Sequence, residues 1–222
     1  LVLELLSGMS VSGLRWDRST DDLVRILQLF RQFAVTLHRC HQNGVVHRDV
    51  KPGNLFVEQR GEAERGVLLD FGIARDARAT RTLGRIPGTC EYMAPETGYA
   101  PETRERWGRA AEEERRLAVR GDLRLDVFGL GAALYQCLAG KLPYETPGRG
   151  ASGAERWRVH LRRSRDTILQ AEKGERWLPG DISFGPHDEM LAELFLKALA
   201  PIPDQRYKDM TEFVSGIDVV LA

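Results

Sequence analysis

The run 127-VFGLGAALYQCLA-139 is 13 residues of almost unbroken apolar sequence in a chain of 222. A helix that is apolar on every side must be surrounded by other protein or by lipid. Spanning a bilayer takes about 18 or more such residues, so this segment falls short and reads as a buried core helix. Helices that could pack around it are legible nearby. Leu23, Ile26, Leu27, Phe30, Ala34 and Leu37 trace one face of a helix expected from about Thr20 to Gln42. Ser19 with Asp22 resembles a capping box at its start, and Asn43-Gly44 ends it. The segments 155–173, 188–200 and roughly Tyr207–Leu221 read as further helices, with Leu191, Leu194, Phe195 and Ala198 at helical spacing in the second.

Strand signals are short. The run 1-LVLELL-6 is β-like and stops at Ser7-Gly8, and two further strands are expected near Asn54–Glu58 and Gly66–Asp70, joined by the polar loop 59-QRGEAER-65. Between Phe71 and Pro95 periodicity gives way to Gly, Thr, Arg and Pro, and a loop of that length in a compact domain tends to be functional. The charge-dense stretch 97–123, with 112-EEERR-116, reads as a solvated helical insertion. The expected fold is mainly α with a few short β-strands.

Composition narrows the partners. The charges balance, 32 basic against 32 acidic, so nothing in the total favours a nucleic-acid or membrane surface. Cys40, Cys90 and Cys137 are odd in number, far apart and without a CxxC pair, which disfavours a disulfide framework and a zinc site and points to a reducing, cytoplasmic setting. The chain opens at Leu1 without a basic leader or cleavage site, inside a strand already under way. It reads as part of a longer protein, which a distant membrane helix could tether.

The chemistry concentrates in 45-VVHRDVKPGNLFVE-58. Asp49 can accept a proton from an attacking hydroxyl. Lys51 can neutralise charge on a transferring phosphoryl group. Asn54 and Asp70 offer one neutral and one charged oxygen, hard ligands suited to Mg²⁺ alongside phosphate oxygens and water. Gly72, past Phe71, frees the backbone to turn beyond that ligand. His47 has no partner at metal-ligand spacing and reads as a packed, hydrogen-bonded residue. The scattered Trp16, Trp107, Trp157 and Trp177 fit packing better than a nucleic-acid platform. The set suits phosphoryl transfer from a nucleotide.

Three motifs in order, 47-HRDVKPGN-54, 70-DFG-72 and 94-APE-96, resemble the protein-kinase signature set. Agreement extends to 88-GTCEYMAPE-96, to Asp126 at the head of the apolar helix, and to Arg206 in 203-PDQRY-207. The resemblance covers essentially the whole chain and is to the large, C-terminal lobe of a serine/threonine kinase, with wording like that of bacterial enzymes. It implies a hinge strand at 1–8, a catalytic loop at 45–58, an activation segment at 70–96 and the insertion at 97–123. Asp49 would then be the catalytic base, Lys51 its phosphate-neutralising partner, and Asn54 and Asp70 the Mg²⁺ ligands. Thr89 would help choose a Ser or Thr acceptor. Glu4 and Leu6 would meet the adenine edge of ATP, and Phe56 would lie under its ring. Glu96 would pair with Arg206, and Asp126 would hold the backbone around His47 and Arg48. Arg48 would hold a phosphate on Thr80 or Thr82. Cys90 stands where similar kinases carry a small packed residue, and redox sensing is the alternative reading.

No Gly-rich phosphate loop or VAIK-type lysine precedes Asp49, and 129-GLG-131 sits in the apolar helix. The resemblance therefore implies a small lobe, absent here, upstream of Leu1 as the first partner, and a protein carrying the acceptor hydroxyl as the second. Without it these residues should transfer phosphate negligibly, because positioning alone is worth about 7–11 kcal/mol of barrier. The edge 1–6 and the surface around Phe56 and Phe71 should then be bare. A pseudokinase that binds partners without transfer, or a small-molecule kinase of similar fold, are the rival readings.

Overall fold

The computed structural model describes residues 5–70, 90–98, 122–144, 146–148, 150–173 and 187–222. The first helix, α1, spans Thr20–Gln42 and buries the whole expected face together with Leu29 and Phe33. Ser19 Oγ accepts from Asp22 N at 3.1 Å, as a capping box requires, but the reciprocal bond goes elsewhere. Asp22 is one methylene shorter than Glu, and its Oδ2 accepts from Asp17 N at 3.1 Å instead. At the far end Asn43 caps the helix and Gly44 turns the chain with φ 73°.

Three antiparallel strands follow the order β1-β2-β3: β1 is Gly8–Ser10, β2 is Leu55–Arg60 and β3 is Ala63–Leu68. Two expectations change here. The first described strand starts at Gly8, where the sequence suggested that the strand stopped, and residues 1–4 lie outside the described residues. The segment 59–65 is a ladder closed by a two-residue turn, with Arg60 opposite Ala63, rather than a seven-residue loop. Residues 59–63 are exposed while Glu64 pairs with Arg25 of α1, and main-chain pairing does not require apolar side chains. Glu58, opposite Arg65, accepts from Arg65 at 2.7 Å and from Arg60 at 2.8 Å. Helix α1 closes the outer side of β3, where Gln32 Oε1 accepts from Gly66 N at 2.9 Å. Of the segment 1–6 only Leu5 and Leu6 are described: Leu5 is 97% exposed and Leu6 half-buried.

The apolar run lies in α2, Arg124–Ala139, with every residue from Asp126 to Tyr135 buried. Helices α1 and α4 (Asp188–Ala198) pack against it, α5 (Met210–Leu221) packs on α1 and α4, and α3 (Gly153–Glu172) packs on residues 90–98. Helix α5 starts three residues later than the apolar pattern suggests, because Asp209 accepts from Thr211 N and Glu212 N and caps it there. None of the described helices is long and apolar enough to cross a membrane.

The two glycines of 129-GLG-131 are contact points. A Cβ at Gly129 would lie 2.9 Å from Val50 O, and one at Gly131 would lie 2.8 Å from the Cβ of Ala198 in α4. The bare backbone of α2 thus meets the segment that carries Asp49. Gly129→Ala gains about 1 kcal/mol of helix propensity but should lose about 1–3 kcal/mol to overpacking against backbone. A lowered urea midpoint is expected, whereas Gly153→Ala, with open space around its Cβ, should be neutral or mildly stabilising.

Candidate active site

The site is built outward from Asp126. Its carboxylate is 0% exposed, yet it accepts from His47 N at 2.8 Å, Arg48 N at 2.7 Å and His41 Nε2 at 2.8 Å. Two successive amides converge on one anion only if the chain turns between them, and Arg48 makes that turn at φ 67°. Asp126 sits in the first turn of α2, three positions beyond the cap residue Leu123, and its carboxylate holds the 47–48 backbone as the resemblance implied.

Past that anchor the polar groups converge. Lys51 Nζ donates to Asp49 Oδ2 at 2.6 Å. Asn54 Nδ2 donates to the same Oδ2 at 3.0 Å and to Asp49 O at 2.8 Å. With both amide protons spent this way, Oδ1 of Asn54 is left as its outward acceptor. The main chain of Asn54 accepts from Leu69 N at 2.8 Å, which lays Asp70 at the exit of β3 next to this loop. His47 makes a second tie: its Nδ1 accepts from Asp49 N at 3.3 Å, leaving Nε2–H to donate to Leu69 O at 3.1 Å. Asp49 and Asp70 are thereby bound into one unit through Asn54 and His47. Asp70 is exposed and adopts φ 57°, a conformation uncommon outside glycine and found disproportionately at functional sites.

These residues fit an ion that brings most of its ligands with it. No group of three His, Cys, Asp or Glu able to hold a metal occurs among the described residues. One carboxylate and one amide oxygen suit Mg²⁺ bridged to phosphates and water, not a metal caged by protein.

Residues 90–97 are held by two buried arginines. Arg206 clasps Glu96, with Nη1 2.6 Å from Oε1, and also donates to Ala200 O at 2.6 Å and Pro201 O at 3.1 Å. Arg163, 6% exposed, was not singled out from sequence. It donates to the carbonyls of Glu91, Cys90 and Met93 at 3.2, 3.3 and 3.0 Å and stacks over the Tyr144 ring at 4.0 Å. It also donates to His160 Nδ1 at 2.8 Å, whose Nε2–H then donates to Thr97 Oγ1 at 3.1 Å. Arg156 pairs with Glu91, and Tyr144 OH donates to Glu91 O at 2.6 Å. The face of α3 that does this runs Arg156, Trp157, His160, Arg163, Ser164, Thr167. It has helical period but polar content, so a search for apolar periodicity passes over it.

Other assignments fall as follows. Phe56 lies mid-strand in β2 opposite Ser10 and Val67, and it and Leu6 are half-buried. Cys90 is buried with its thiol pKa pushed up by loss of solvation, and Cys137 is pushed to about 11 by the same cause. Both fit packing and argue against reactive thiolates. Glu4, Phe71, Gly72, Thr80, Thr82, Thr89, Trp107, Trp177 and the insertion from residue 99 to 121 lie outside the described residues.

A loop that binds an acid, an ammonium and an amide around one point, braced by a buried Asp and a Glu–Arg clasp, defines a class. The protein kinase domain family matches residues 1–213, and the chain belongs to it. It is 31% identical over its whole length to serine/threonine-protein kinase Pkn1 of Myxococcus xanthus, covering 27% of that protein. It is 33% identical over 66% of its length to serine/threonine-protein kinase pkn2 of the same organism, covering 16% of it. To serine/threonine-protein kinase PknB of Mycobacterium tuberculosis it is 24% identical over 96% of its length, covering 29% of that protein. The chain thus spans about a quarter of the length of these curated relatives.

Three outcomes follow. Asp126→Ala strands two buried amides and should lose several kcal/mol of stability, at about 1–3 kcal/mol per orphaned group, read by chemical denaturation. Arg206→Met leaves Glu96 charged and buried, and should cost about 3–5 kcal/mol in the same assay. Burial, reinforced by the Arg163 charge, depresses the His160 pKa from 6.5 to about 3. Below pH 6.5 the unfolded chain takes up a proton that the folded one refuses, so this stability is present above pH 6.5 and drains away toward pH 3. The slope is at most about 1.4 kcal/mol per pH unit. His160→Gln should flatten it, and parallel losses in both proteins between these limits would contradict the assignment.

Proposed function

We propose that these residues form the large lobe of a serine/threonine protein kinase, which transfers the γ-phosphoryl group of ATP to a Ser or Thr hydroxyl of a protein. A small lobe outside the 222 residues completes the nucleotide clamp. The observation that carries this reading is the shared oxygen of Asp49, which receives Lys51 at 2.6 Å and Asn54 at 3.0 Å. Fixed by two donors, the carboxylate keeps its other oxygen for the acceptor hydroxyl, whose proton it takes as the oxygen attacks phosphorus. Lys51, a donor only, balances negative charge on the phosphoryl group in flight. Asn54 Oδ1 and the Asp70 carboxylate would hold Mg²⁺, which when bound neutralises phosphate oxygens.

The remaining assignments belong to the same reading. Glu4, Leu6 and Phe56 would receive the adenine, and Thr89 would favour a Ser or Thr acceptor. The Nε–H of Arg48 is a buried donor with no partner among the described residues, and its guanidinium would suit a phosphate on Thr80 or Thr82. The setting proposed is cytoplasmic.

In the full-length protein, Asp49→Ala should reduce phosphate transfer from labelled ATP to a protein substrate by about 10²–10⁴ while leaving nucleotide binding in place. An unchanged rate would end the assignment of Asp49 as base, and no transfer by the unmutated protein would favour a pseudokinase.

A further inference from the structure

A cavity of about 750 Å³ opens beside the catalytic loop, within the range of ~300–1,000 Å³ typical of ligand sites. Lys51 forms one wall, so the cavity begins where the Asp49 unit ends. Tyr92, from the segment gripped by Arg163, forms another. The outer wall carries Arg15 and Arg18, and no Asp or Glu is among the described residues that line the cavity. Lys51 is already paired with Asp49, but among the described residues no acid pairs with either guanidinium. Arg15 donates to Leu14 O at 3.0 Å, and Arg18 rests 5.9 Å from the centre of the Trp16 ring. Asp17, Asp21 and Asp22 line the neighbouring cleft that Arg15 also borders. Of these, Asp22 is taken by Arg25 at 2.8 Å and Asp17 by Ser19 N at 2.8 Å. The wall is fixed to the core, since Trp16 Nε1 donates to Leu138 O at 2.8 Å at the end of α2.

We propose that this cavity receives the stretch of protein substrate flanking the acceptor on one side, and that Arg15 and Arg18 select Asp or Glu there. The inference rests on the kinase reading. A chain that presents its hydroxyl to Asp49 has Lys51 as its neighbour, and at about 3.3–3.6 Å per residue the next few residues enter the cavity. There two cations meet them, with no competing carboxylate among the described lining residues. Charge complementarity of this kind favours one partner and rejects basic ones.

The test uses the full-length protein and a peptide series with one Ser, in which Asp or Glu is placed in turn at each of the nearest positions on both sides. An acid on one side only should raise kcat/KM about fivefold, mainly through KM, as two exposed ion pairs allow. The gain should shrink as salt rises. Arg15→Glu with Arg18→Glu should abolish or reverse the preference, read as the ratio of kcat/KM for the acidic peptide to that for an uncharged one, and Arg15→Gln with Arg18→Gln should fall between. Equal use of acidic and neutral peptides, or a preference that survives both charge reversals, would overturn the proposal. Failure to phosphorylate any peptide would instead strike the kinase reading. Fluorescence anisotropy with a labelled acidic peptide then judges the cavity alone: binding lost in the double Glu variant upholds it, and binding that is absent or insensitive to the variant sinks it.

Discussion

Everything around the loop depends on one ion with no access to water, the carboxylate of Asp126. A charge this deeply buried is tolerable only when donors replace its hydration. Here the donors are the main chain of residues 47 and 48 and the ring of His41. Because the carboxylate rides on α2, the most enclosed helix, the loop inherits the rigidity of the core. Val50 packed on the bare backbone of Gly129 reinforces the same placement. The geometry of Asp49, Lys51 and Asn54 is therefore set by a helix nearly eighty residues downstream in sequence.

A second polar assembly, made by Arg163, His160, Arg156 and Tyr144, grips residues 90–93. Hydrogen bonds to carbonyls impose direction where apolar contact would allow sliding, so this segment is held in one orientation beside the cavity. In the proposed reading, the first assembly would position what reacts and the second what meets the substrate. Arg206 and Glu96 join the second to α2 and the turn before α5.

Much of this was legible from the residues. The apolar face of α1 announced itself by period, and Ser19 and Asn43-Gly44 marked its ends to the residue. Asp49, Lys51 and Asn54 lie within six positions of each other, so a single turn and short strand suffice to gather them. The hairpin tip was not legible, since Gln59, Arg60 and Arg65 are as polar in a ladder as in a loop. The buried side of α3 was hidden for the opposite reason: its arginines and histidine have the composition of a solvated face and the environment of a core.

What the chain alone determined is the local inventory: which segments are helical, which face of each is apolar, and which acids, amides and cations sit close enough to act together. The convergences across long separations were decided by tertiary structure, as with Asp126 on residues 47–48, Arg163 on 90–93, Arg206 on Glu96 and Arg15 with Arg18 across from Lys51. The reason is physical. Periodicity records how a segment meets an apolar core, but a buried charge or an open cavity is defined by partners that only packing brings within hydrogen-bond reach.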